Sequence, residues 1–238
     1  MRIFRILTIS IMFLASSLSG DAKNYVVCVG LSDYPGFMND LTVSASDATY
    51  IANLFRRNGN SEVYCVTNRN ATVTNVVRTM SSIYSKAGPA DMVMLFFSGH
   101  GTRGALRCYD GPLRYSQVTD CMKLSKSRKR LIFADACMSG GMRSNNRRTP
   151  GKEDVSIMFF LSSRTQEPSR EIMNLENSAF TYYLGRGLRG YADTNKDRTI
   201  TARELFDYVS GHVISLTGRR QHPVMWGNFS DLMPVIRW

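Results

Sequence analysis

A histidine and a cysteine, each set directly after an apolar run, have the types and spacing for covalent chemistry. His100 lies in Ser98-Gly99-His100-Gly101, after Met92-Val93-Met94-Leu95-Phe96-Phe97. Cys137 lies in Asp135-Ala136-Cys137-Met138-Ser139-Gly140, after Leu131-Ile132-Phe133-Ala134. A thiol attacks well as thiolate, and a histidine beside it supplies that state. Cys137 is therefore the candidate nucleophile and His100 the candidate base. The backbone N–H groups of Gly101 and Cys137 are candidates for an oxyanion hole. The bland alternative is a buried strand-end cysteine and an ordinary polar histidine; His100 is one of only three histidines.

The elements around these blocks must bring them together. Two parallel strands ending in a base and a nucleophile place both at the sheet edge where open α/β sheets bind ligands. Tyr25 to Leu31 reads as a first strand, and a Gly/Pro-containing loop follows at Ser32 to Phe37. About Leu41 to Arg57 reads as a helix, with Val43, Ala48, Ile51, Ala52 and Phe55 on one stripe. Glu62 to Thr67 is β-rich, and Thr72 can cap a second helix bearing Val76, Val77, Met80 and Ile83. Arg114 to Lys126 reads as loop and helix, Val155 to Leu161 as a buried strand. Helices are expected near Ser178 to Leu188 and Ala202 to Leu216. Strands alternating with helices predict an α/β fold with a mostly parallel central sheet and helices on both faces.

The 238 residues allow one sizeable domain, and the excess of 30 basic over 19 acidic residues gives +11. A soluble basic protein is the favoured reading of that charge, and nucleic acid or an anionic surface the other. No aromatic-interleaved basic stripe is present, so specific nucleic-acid binding is not expected. Residues 1–22 read as a secretory signal: Arg2 and Arg5, an apolar run from Ile6 to Leu18, then small residues to Ala22. The chain is thus expected to be exported, periplasmic or extracellular, with no stable membrane span after cleavage. Five cysteines leave at least one thiol free. Cys28 with Cys65, and Cys108 with Cys121, are either disulfides or buried free thiols. Asp193, Asn195 and Asp197 followed by Glu204 have the outline of an EF-hand calcium loop. Arg198 stands where that loop needs glycine, and Thr201 with Glu204 also forms a capping box, which is the favoured reading.

The His and Cys blocks, with Phe180-Thr181-Tyr182-Tyr183-Leu184 and Ala192-Asp193-x-Asn195-x-Asp197, make the chain resemble the caspase-like cysteine peptidases, nearest the metacaspases and their bacterial relatives. The resemblance spans about Asn24 to Phe229 and implies the caspase-like fold. Met138 stands where metacaspases usually carry a histidine after the nucleophile. The resemblance implies cleavage after Arg or Lys, with Asp47, Ser98 and Asp135 lining the pocket for that residue. The physical requirement agrees, because a desolvated guanidinium needs a facing carboxylate. The alternatives are a solvated helix residue for Asp47 and a strand-end acid satisfied by backbone donors for Asp135.

The resemblance also divides residues 23–238, read as one peptidase domain, into a large-subunit-like part 23–142, a basic intersubunit-type loop 143–152 and a small-subunit-like part 153–238. Arg143, Arg147, Arg148 and Lys152 in that loop are candidate self-cleavage sites, or a merely solvated basic loop. Many metacaspases depend on calcium through a different acid cluster, for which Asp110 and Asp120 are weak candidates here. No cofactor is expected to be required. A monomer is favoured over a caspase-type dimer, and the partners are protein or peptide substrates. Two other readings stay open: a binding protein that keeps the fold without catalysis, and a transpeptidase that passes the acyl group to an amine.

Overall fold

Runs of valine, leucine, methionine and phenylalanine with no polar alternation form the centre of the molecule, as strands covered on both faces must. The structure, a computed structural model, describes residues 22–102, 104–136, 157–163 and 176–237. In chain order, β1 (Asn24–Gly30) leads to α1 (Ser44–Arg57), β2 (Ser61–Thr67), α2 (Val73–Tyr84) and β3 (Met92–Ser98). Three short strands follow, β4 (Gly101–Thr102), β5 (Ala105–Cys108) and β6 (Gly111–Arg114), then α3 (Tyr115–Lys123) and β7 (Lys129–Asp135). The C-terminal part holds β8 (Met158–Leu161), α4 (Ala179–Arg186), β9 (Thr199–Thr201), α5 (Ala202–Leu216), β10 (Val224–Gly227) and β11 (Pro234–Arg237).

The main sheet has six strands in the order β10-β8-β7-β3-β1-β2, all parallel except β10. Period-two alternation divides β3 between two cores. Val93, Leu95 and Phe97 pack with α2 and α3, whereas Met92, Met94 and Phe96 pack with α1, α4 and α5. Phe96, Phe97, Phe133, Phe160 and Phe180 are fully buried, each contributing about 1.5–3 kcal/mol by burial. Gly30 lets α1 lie directly on β1: a Cβ there would sit 2.3 Å from the Ser44 carbonyl oxygen.

One expectation shifts and one element was not foreseen. The first helix starts at Ser44 rather than Leu41, because Leu41 N–H donates to the Ser32 carbonyl while Ser32 Oγ accepts from Ala45 N–H. The loop preceding α1 is thereby tied back to the end of β1. Between β3 and α3, where the sequence suggested no strand, β4–β6 form a separate three-stranded antiparallel sheet. Asp110-Gly111 between short apolar runs is the hairpin signal that could have revealed it. Among the described residues, no helix is long and apolar enough to cross a membrane.

Candidate active site

Register puts the chemistry at one edge. Ser98, the last residue of β3, lies opposite Asp135, the last residue of β7, and Gly99 N–H donates to the Asp135 carbonyl at 3.1 Å. His100 therefore leaves the sheet beside the point where the chain runs from Ala136 into Cys137. Cys137 itself lies outside the described residues, as do Arg143, Arg147, Arg148 and Lys152.

His100 is held from the loop after β1. Its Nε2 is 2.7 Å from the Asn39 carbonyl oxygen. A carbonyl only accepts, so Nε2 carries the proton and a neutral ring keeps Nδ1 as its basic nitrogen. His100 N–H donates to Tyr34 Oη at 2.8 Å, and the Tyr34 hydroxyl donates onward to the Arg107 carbonyl at 3.2 Å. The Tyr34 ring packs against the imidazole with centroids 4.8 Å apart. Gly99 makes this fit: a Cβ there would be 2.6 Å from Tyr34 Oη. Tyr34 and Asn39 escaped the sequence reading because one acts through packing and the other through its backbone.

Asp47 and Asp135, on different elements, are brought together behind this edge. Asp47 is 0% and Asp135 4% exposed. Ser98 Oγ donates to Asp47 Oδ2 at 2.9 Å, while Asn177 Nδ2 at 2.9 Å and Ser178 N–H at 3.2 Å donate to Oδ1. Asp135 Oδ2 accepts from Ser178 Oγ and, at 3.3 Å, from Thr181 Oγ1. Burial, and then the neighbouring Asp135 carboxylate, push Asp47 up to about 7, against the pull of its three hydrogen-bond donors. Two carboxylates hydrogen-bonded to one serine in low dielectric repel each other, which favours the protonated form of Asp47 until a cation arrives. Asn177, Ser178 and Thr181 were not anticipated; the clue was an Asn-Ser pair before an apolar helical run, an N-cap signature.

The other candidates are placed as follows. Gly101 opens β4 directly after His100. Glu204 Oε2 accepts from Thr201 N–H and Oγ1, and Oε1 from Thr194 N–H and Oγ1. Asp193 accepts from the N–H groups of Asp197 and Arg198, Asn195 Oδ1 from Asp197 N–H, and Asp197 Oδ1 from Thr199 N–H. The loop thus satisfies itself and caps α5, with Arg198 in the left-handed region at φ 64°. Asp110 accepts from Val73 N–H at the start of α2, and Asp120 pairs with Lys123. Among the described residues, no three His, Cys, Asp or Glu side chains converge as metal ligands. Cys28, Cys65, Cys108 and Cys121 are free thiols. Burial raises all four, Cys108 to about 12, so none is a ready thiolate.

Comparison with known proteins agrees with this fold. A family model, peptidase C14, the caspase domain, matches residues 23–232. Among solved structures, protein GSU0716 from Geobacter sulfurreducens superposes with a TM-score of 0.65 at 16% identity, covering 86% of this chain and 92% of that one. At that identity the likeness concerns the fold. No curated protein matches the sequence.

Proposed function

The chain belongs to the caspase-domain family of peptidases, and from that premise we propose that it is an exported cysteine endopeptidase cutting after Arg or Lys. The observation that carries the specificity is the buried Asp47–Asp135 pair, with Ser98 beside it, at the sheet edge that bears His100. A buried pair of carboxylates answers a guanidinium or ammonium group and repels an acidic one.

In this reading His100 Nδ1 takes the Cys137 thiol proton, and the thiolate attacks the substrate carbonyl. The N–H groups of Gly101 and Cys137 hold the oxyanion. His100 then gives its proton to the leaving amine, and water hydrolyses the acyl-enzyme. The Asn39 carbonyl keeps the ring in the tautomer that this sequence needs and stabilises the imidazolium. Basic residues 143–152 suit the same pocket, which supports self-cleavage there.

The test is cleavage of fluorogenic peptides ending in Arg, Lys or Asp by the chain lacking residues 1–22, with Cys137→Ala as control. Cleavage after Arg or Lys that vanishes in the variant is expected. Cleavage after Asp would overturn the roles of Asp47 and Asp135. Cleavage of none, with and without calcium and reductant, would favour a binding protein of the same fold.

A further inference from the structure

At this edge Ser178 donates to both buried acids: its N–H to Asp47 and its Oγ–H to Asp135. The same Oγ accepts Thr181 N–H at 3.0 Å, as the N-cap of α4. The two bonds at Oγ fix its rotamer, since a hydroxyl has one proton to give and lone pairs to receive, while the N–H bond to Asp47 fixes the backbone. The two acids come from α1 and β7, in the part of the chain preceding residue 143, whereas Ser178 follows it. Asp47 is faced by Ser98 of β3, by Asn177 and Ser178, and by Asp135; among the described residues, Asp135 is the titratable group acting on it.

We propose that Ser178 is the specificity-setting positioning residue of this pocket: by binding both carboxylates at once it fixes their spacing for a planar guanidinium. The inference rests on the Arg/Lys reading above and adds a residue and a discrimination to it. A guanidinium presents donors in a rigid fork, whereas an ammonium is a point charge with rotatable donors. Fixed spacing of two acceptors therefore favours Arg over Lys, and loosened spacing erodes that preference. The N–H and Oγ bonds of Ser178 run to the two acids and to Thr181 rather than to His100, so its effect falls on substrate binding rather than on the chemical step.

The experiment compares wild type, Ser178→Ala and Ser178→Thr with Arg and Lys peptides. It also follows Tm from acid to neutral pH in the Cys137→Ala background, which excludes self-cleavage. Loss of one charge-assisted hydrogen bond should raise KM for the Arg peptide about tenfold. The expected kcat stays within about twofold, because uniform binding alone is lost. The Arg-over-Lys preference should narrow, and Thr, which keeps the hydroxyl, should restore both. A lost cap by itself would lower Tm equally at every pH and leave KM unmoved. The alanine variant should instead show a Tm deficit that changes as the acid pair titrates. Arg cleavage by wild type with unchanged KM and preference in Ser178→Ala overturns this inference alone. A wild type that ignores Arg and Lys peptides overturns the specificity reading and this role with it.

Discussion

Asp47 is the residue at which stability and the proposed function pull in opposite directions. Its carboxyl is raised to about 7, above its ordinary 3.8, by burial and then by Asp135. A folded state that holds a proton the unfolded state releases loses stability as pH rises. The loss starts near the ordinary carboxylate range, runs up to about 7 and then levels off. Asp47→Asn removes the ionisable group while keeping an acceptor for Asn177 and Ser178. We expect that variant, in the Cys137→Ala background, to show a flatter Tm–pH profile and to be at least as stable as its parent at neutral pH. In the active chain, the same change should lower kcat/KM for Arg peptides by about 100-fold or more, since an incoming cation would meet one acid instead of two. A wild-type KM for Arg peptides that falls as pH climbs toward 7, as the Asp47 carboxyl gives up its proton, belongs to the same account. A KM independent of pH across that range would contradict it.

At the scale of elements, the loop between β1 and α1 acts as a bracket for His100. It contributes the Asn39 carbonyl and Tyr34, and it is itself anchored by Asn68 Oδ1, which accepts from Ser32 and Asp33 N–H. Tyr34→Phe leaves the ring in place but removes the acceptor for His100 N–H, a partly buried bond worth about 1 kcal/mol. The expected result is a kcat lowered about tenfold with KM for the Arg peptide unchanged; a change in KM alone would contradict the bracket. The 193–204 loop and α5 form a second unit, joined by the Thr201–Glu204 capping box. Thr201→Ala should destabilise by about 1 kcal/mol and lower Tm by about 2–4 °C. Calcium at about 1 mM should leave Tm unmoved; a rise would show that the loop takes the ion. The hairpin sheet β4–β6 was hidden because its strands are only two to four residues long, too short for alternation to register.

For the molecule as a whole, the sheet continues across the proposed self-cleavage segment. β7 pairs with β8 from Leu131↔Met158 to Ala134↔Leu161, and Asp47 in α1 is bonded to Asn177 and Ser178 ahead of α4. A chain cut within 143–152 should therefore elute from native size exclusion as one species containing both fragments, separating only in denaturant. Fragments that part in native buffer would refute this. Phe160, edge-on to Phe180 at 5.1 Å and within the same core as α5, ties the C-terminal part to the sheet. Phe160→Ala should cost about 3–5 kcal/mol in denaturant unfolding.

What the sequence determined by itself was local and periodic. Unbroken apolar runs marked β1, β3, β7 and β8, a 3.6-residue stripe marked α1 and α2, and the Thr201–Glu204 cap marked the start of α5 at Ala202. The neighbourhood of His100 and Asp135 followed from strand ends alone, because parallel strands deliver their C-termini to one edge. Tertiary structure decided the rest. The Asn39 carbonyl on His100, and the hold of Ser178 on both Asp47 and Asp135, join positions far apart in the chain through backbone atoms and rotamers. Such contacts leave no periodic trace in a single sequence, because they depend on where helices and loops land once the two cores have packed.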